Sequence, residues 1–127
     1  MYKVVQIVVA GLSIALLPLS AYAGTISTPI IFQGNSDQLV CIANNVSTSQ
    51  IRVTVRIIGF FSSATDTCVL AANDVFGCQV FLNNAAGQCR ISLLRLTNSE
   101  VQQVVRGVLF SRKITAPFAT DAVVQAQ

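Results

Sequence analysis

Residues 50–60 read Gln-Ile-Arg-Val-Thr-Val-Arg-Ile-Ile-Gly-Phe. Within them Ile51, Val53, Val55 and Ile57 alternate with Arg52, Thr54, Arg56 and Ile58, the period of two that places one face of a strand on a core and the other toward water. Helical spacing would scatter the same apolar residues around the axis. The stretch therefore predicts a half-buried strand over 50–60, and the question becomes what packs against it.

Similar short β-rich runs recur on both sides, separated by clusters of turn-forming residues. A strand is predicted over Pro29–Gln33, with Pro29 confined to its start because it has no N–H to donate. A turn at Gly34-Asn35-Ser36-Asp37 leads to a strand over Gln38–Asn44, and the polar run 45–49 joins that strand to 50–60. Downstream, a short strand is expected near Cys68, another over Cys78–Asn83, and a third over Gln88–Leu96 after the turn Asn84-Ala85-Ala86-Gly87. A last strand is expected in Thr120–Gln127.

Residues 98–113 carry two patterns. Val101, Val104, Val105, Val108 and Leu109 fit a helical stripe, and Thr97-Asn98-Ser99-Glu100 has the form of a capping box. Against a helix stand the low helix propensity of four valines and Gly107 in the middle, which favours a strand over about Val104–Ser111. The count fits an all-β chain, an immunoglobulin-like antiparallel sandwich of about 7–8 strands.

The four cysteines are Cys41, Cys68, Cys78 and Cys89. There is no CxxC pair and no histidine, so the usual zinc and redox-exchange spacings are missing. No metal or other cofactor is expected, and two structural disulfides are. Alternation puts Cys41 with Leu39 and Ala43 on one face, and Cys89 with Ile91 and Leu93, so both thiols point into a core. Cys68 and Cys78 flank a segment whose Asn73-Asp74 reads as a turn, so they can meet locally. The expected pairing is Cys41–Cys89 with Cys68–Cys78, stabilising in the chain-entropy model by about 4 and roughly 3 kcal/mol.

At the N-terminus, Lys3, the apolar run Val4–Leu19 and the small-x-small site Ala21-Tyr22-Ala23 have the order of an export signal. The expected organisation is a signal peptide over 1–23 and one disulfide-stapled domain over 24–127, secreted or periplasmic, with no membrane span after processing. Once Lys3 is removed, seven basic side chains face five acidic ones, too small an excess to imply nucleic acid as a partner. Only 10% of the 127 residues are charged, against about 25% in ordinary domains, so the surface must be made hydrophilic mainly by Asn, Gln, Ser and Thr.

The run LVCIANNVSTSQIRVTVRIIGF (39–60), the Cys68-x9-Cys78 loop, CRISL (89–93) and VRGVLF (105–110) resemble the pattern of a group of small secreted bacterial β-sandwich proteins. The resemblance implies a sandwich fold and an export route; the group has no assigned activity, so it implies none here. The Pro-Gly turn expected inside the Cys-x9-Cys loop is absent from this sequence.

With zero histidines, Ser-His-Asp and Cys-His catalysis are excluded. The five carboxylates, Asp37, Asp66, Asp74, Glu100 and Asp121, fall mostly in expected turns, where such groups cap backbone amides. No enzyme is expected, a small carboxylate-based hydrolase being the weakest alternative. If the strands carrying them are neighbours, Arg52, Arg56, Arg90 and Arg106 all point outward on one sheet and form a basic stripe. Its partner would be an anionic glycan or another envelope component, since the guanidinium fork matches carboxylate and phosphate. Val40, Ile42 and Phe81 are expected on an outer face, offering a contact for self-association or a pilus-like subunit unless other strands cover them. Asn45-Val46-Ser47 is a glycosylation sequon, a triplet common by chance and meaningful only in a eukaryotic secretory route.

Overall fold

The computed structural model describes residues 23–32, 38–83, 86–114 and 120–127. Eight strands and one short helix follow in order: β1 (Ala23–Ser27), β2 (Gln38–Asn45), β3 (Ile51–Gly59), β4 (Ser63–Leu70), β5 (Cys78–Asn83), β6 (Gly87–Leu94), α1 (Asn98–Val104), β7 (Val105–Arg112) and β8 (Thr120–Gln125). They form two four-stranded sheets, ordered β1-β6-β3-β4 and β5-β2-β7-β8, with every pairing antiparallel. The chain is an all-β sandwich. No helix among the described residues is long and apolar enough to cross a membrane.

Alternation decides what lies between the sheets. Val53, Val55 and Ile57 of β3 and Cys89, Ile91 and Leu93 of β6 face Leu39, Cys41 and Ala43 of β2, Val80 and Leu82 of β5, and Leu109 of β7. Both predicted disulfides are present. Cys41–Cys89 joins β2 to β6 through the core, with Cα atoms 6.0 Å apart and both residues fully buried. Cys68–Cys78 joins the edge strands β4 and β5 at 5.7 Å, so each bridge ties one sheet to the other. At the opposite margin the sheets meet through backbone: Ser27 N–H donates to the Gln127 carbonyl at 3.0 Å, and Gln127 N–H to that of Ser27 at 3.1 Å. Two disulfides indicate an oxidising, extracytoplasmic environment.

Three features differ from the sequence-based expectation. The first strand is Ala23–Ser27 rather than 29–33; beyond it the chain follows β6 only through Thr28 and the isolated bridge Ile31–Gly87. The second residue of β1 is glycine because nothing larger fits there. A Cβ on Gly24 would lie 2.5 Å from the carbonyl oxygens of Leu96 and Thr97 and 2.6 Å from a Val101 methyl.

The second is 98–112, where both patterns are real and follow one another. Thr97 and Glu100 complete the capping box of α1, and the strand starts where Val105 pairs with Asn45. The third follows from the second. β2–β5 and β3–β6 are the inner pairings of an immunoglobulin sandwich, but β7 lies beside β2 rather than beside β6. The seven residues of α1 rise about 10 Å, the usual separation of packed sheets, and so carry the chain from one sheet to the other. β1 takes the place beside β6 that β7 leaves.

Candidate functional site

On the outer face of β1-β6-β3-β4 the alternation of β3 points Arg52 and Arg56 to solvent, and that of β6 points Arg90. The register sets Arg56 directly opposite Arg90, with Ser27 beyond Arg90 on β1 and Thr65 beyond Arg56 on β4. The neighbouring row is made of hydroxyls: Thr25, Ser92, Thr54 and Thr67, one from each strand. Thr25 and Ser92 are 3.0 Å apart and Thr54 and Thr67 3.1 Å. Arg56 Nη2 donates to Ser63 Oγ at 3.4 Å, and none of the three arginines has a carboxylate partner among the described residues. A shallow groove of about 280 Å³ runs beside Arg52, Thr54, Ser92 and Leu94. Like charges directly opposite on a sheet repel by a few tenths of a kcal/mol, so the face is held ready for an anion by the folding of the rest.

Arg106 does not belong to this face. It sits on β7 in the other sheet, paired with Asn44, and its guanidinium donates to the carbonyls of Gln102 and Val105. It therefore answers the negative end of the α1 dipole. The expected four-arginine stripe is a three-arginine face, because the sheet to which β7 belongs is a long-range property that local alternation does not carry.

The outer face of β5-β2-β7-β8 is different in kind. Phe81, Val40, Phe110 and Val123 form one row across all four strands, and Ile42 and Val108 pair in a second. The expected outward set Val40, Ile42 and Phe81 is thus brought together on one face, but Val40 is only 1% exposed and Ile42 half-buried, so of the three Phe81 alone is well exposed. Arg112 closes one end, its guanidinium 5.4 Å from the Phe81 ring centroid and its Nε donating to Gln38 Oε1 at 2.9 Å.

The three acids with described surroundings each hold local backbone. Asp66 accepts from Thr67 N–H at 2.8 Å, and Asp74 from Phe76 and Gly77 N–H at 2.8 and 2.7 Å. Glu100 accepts from Thr97 N–H at 3.0 Å, and this bond with the Thr97 contacts draws its carboxyl below the ordinary carboxylate range. Asp37 lies outside the described residues, and Asp121 is on β8. Asp66 lies close to Cys68 and Cys78, but the sulfurs are joined to one another and offer no thiolate to a metal.

One residue of the expected polar connection 45–49 is buried. Asn45, only 1% exposed, donates through Nδ2 to the carbonyls of Ser49 (2.7 Å), Ala71 (2.9 Å) and Leu70 (3.3 Å). Its Oδ1 accepts from Ser47 N–H and Oγ at 2.9 and 2.7 Å. Both amide protons are committed, so glycan attachment at this sequon is incompatible with the fold.

No family model matches the chain. No curated protein matches it either. Among solved structures, the one titled Crystal Structure of Thermotoga maritima 1070 is similar with a TM-score of 0.45 and 8% identity, over 82% of this chain and 92% of that one.

Proposed function

We propose that the chain is a non-enzymatic, extracytoplasmic binding module, exported by its N-terminal signal, which holds an anionic glycan on the outer face of β1-β6-β3-β4. The observation that carries this reading is the directly opposed pair Arg56–Arg90, which has no described carboxylate partner and lies beside a four-strand row of hydroxyls. Guanidinium forks take carboxylate or sulfate groups in two hydrogen bonds, and hydroxyls at strand spacing, about 4.8 Å, suit the polar edge of an extended sugar chain. The local tasks of Asp66, Asp74 and Glu100 and the lack of histidine support a role without catalysis.

Retention on an anionic polysaccharide column tests it. Wild type is retained and eluted by salt, Arg56→Gln/Arg90→Gln is not, and Arg106→Gln behaves as wild type. Equal salt-dependent retention of all three proteins refutes the assignment.

A second reading, self-association, is favoured by the exposed Phe81 and Val123 at the two ends of the row that runs through Val40 and Phe110. It requires an assembly at high concentration in size-exclusion chromatography that Phe81→Ser abolishes.

A further inference from the structure

One end of the sandwich breaks the chemistry of its own turn. β3 and β4 are joined through Gly59, whose N–H donates to the Ser62 carbonyl at 2.9 Å, leaving Phe60 and Phe61 as the two residues at the tip. Two-residue hairpin tips favour Asn, Asp and Gly, for backbone reasons. Here they carry two phenyl rings, Phe60 66% exposed and Phe61 wholly so. Neither packs in the core. Places where a local rule is broken without a folding gain are where function is sought.

The same end gathers more apolar surface. Ile31 pairs with Gly87 at the start of β6, and Gly59 pairs with the same Gly87, so Ile30 and Phe32 flank the hairpin tip. Both are exposed, and the Phe32 and Phe60 rings lie 6.4 Å apart. A cleft of about 140 Å³ opens between Ile30, Ile58 and Phe60. β7 also runs out toward this end, since Arg112 pairs with Gln38 at the start of β2, and it is followed by Lys113 and by Ile114, which is exposed.

Among the described residues, basic charges predominate around this end. Arg56 and Arg90 stand on the sheet behind the aromatic tip, and Arg112 and Lys113 on the other sheet. Among the described residues one carboxylate comes near: exposed Asp66 pairs with Val55, one residue farther from the tip than Arg56, and accepts from Thr67 N–H, while Asp74 and Glu100, in the β4–β5 loop and in α1, lie at the opposite end. Asp37 lies outside the described residues.

We propose that this end docks on the surface of a bilayer containing anionic lipid, with the rings of Phe60 and Phe61 entering the headgroup–acyl boundary and the flanking arginines and lysine meeting lipid phosphates. The dimensions agree. At about 3.3 Å per residue, the Arg56 backbone stands about 13 Å from Phe60, while interfacial apolar groups enter about 5–10 Å. Arg56 and Arg90 therefore sit at the level of the headgroups, within reach of their long side chains. The surface shares Arg56 and Arg90 with the glycan face proposed above but not Phe60 or Phe61, so the two readings fail separately.

The chain contains no tryptophan, so Phe61→Trp creates a single reporter. In the disulfide-bonded protein recovered from the extracytoplasmic fraction, phosphatidylcholine vesicles with one-fifth phosphatidylglycerol are expected to shift the F61W emission to the blue. Pure phosphatidylcholine vesicles shift it far less, and millimolar inorganic phosphate does not reverse it. In co-sedimentation, F60S/F61S is expected to bind the anionic vesicles at least about 30-fold more weakly than wild type, from two rings withheld from burial. The variant is expected to keep its melting temperature and its retention on anionic polysaccharide. An unshifted F61W emission, equal binding of F60S/F61S and wild type, or complete release by inorganic phosphate would each overturn the proposal.

Discussion

Replacing Asn45 by alanine tests whether one buried amide holds the loop end of the sandwich together. The side chain has two amide protons and two acceptor lone pairs. All are used, on the carbonyls of Ser49, Ala71 and Leu70 and on the N–H and Oγ of Ser47. Ser49 is exposed and Ser47 half-buried, and both can regain water once the amide is gone, so those bonds contribute about 1 kcal/mol or less each. The Leu70 carbonyl belongs to a residue only 3% exposed, and an acceptor stranded there costs about 1–3 kcal/mol. The sum is about 3 kcal/mol, a shift of about 2 M in the urea midpoint at a slope near 1.5 kcal/mol/M.

Asn45→Asp sharpens the test, because it keeps the size and the bonds to Ser47 but turns a donor into a carboxylate facing three carbonyl oxygens. Those dipoles disfavour the charge, so the folded-state pKa rises above the unfolded value of about 3.9. With a raised pKa, the folded state binds the extra proton, and stability falls as pH rises from the unfolded pKa to the folded one. The deficit relative to wild type is therefore smallest below about pH 4 and largest at neutrality. A loss under about 0.5 kcal/mol for the alanine variant, within the range of ordinary surface changes, or a pH-independent deficit for the aspartate variant, refutes the role given to Asn45.

Removing the core bridge with Cys41→Ala/Cys89→Ala is expected to lower stability by about 4 kcal/mol or more, since loop closure and packing are lost together; the matched Cys68→Ala/Cys78→Ala change at the sheet edge should cost less, as read by urea unfolding. Gly24→Ala must push β1 away from the Leu96 and Thr97 carbonyls, and hydrogen exchange should show β1 amides opening faster with the rest of β6 protected. Glu100 holds the Thr97 N–H as a carboxylate with a lowered pKa. The contribution of this cap is present above the ordinary carboxylate value and lost as pH falls through the lowered one, and Glu100→Gln should flatten that acid limb in a thermal-melt series.

The parts legible in the sequence are those where one residue's neighbours fix its environment. β3 and β5 follow their alternation because each has one buried and one wet face, and the inward direction of Cys41 and Cys89 comes from the same count. Sheet membership is not local in that sense. Nothing near Arg106 says that β7 pairs with β2, because that depends on a seven-residue helix bridging the gap between the sheets. Valine's low helix propensity favoured a strand over about Val104–Ser111, which is present as β7, but it also argued against the helix before it, where the capping box and the buried Val101 outweigh it for two turns. β1 was hidden by Ala-Gly at its start, residues with no periodic weight. For Phe60 a usable cue existed, two aromatics just after a glycine at a strand end, but extending the strand through residue 60 absorbed the first of them. The composition of Asn45-Val46-Ser47 likewise fits a side-chain-bonded turn as well as a sequon.

The crossing made by α1 also explains why the two outer faces differ so much. The outward residues of β7 are Arg106, Val108, Phe110 and Arg112. Had β7 followed β6 into the same sheet, as in an immunoglobulin sandwich, Val108 and Phe110 would border Arg90 and Ser92 and interrupt the hydroxyl row. In the observed arrangement β1 supplies Thr25 and Ser27 at that border, and Phe110 instead joins Val40, Phe81 and Val123. The exchange sorts polar and apolar outward residues onto opposite sheets without altering a single core position, since the inward residues of β1 and β7 still meet in the same interior as Ile26 and Leu109. Selection for folding alone is indifferent to that sorting. A polar face, an apolar face and an aromatic end, each continuous across several strands, is the pattern expected when the surfaces have separate tasks.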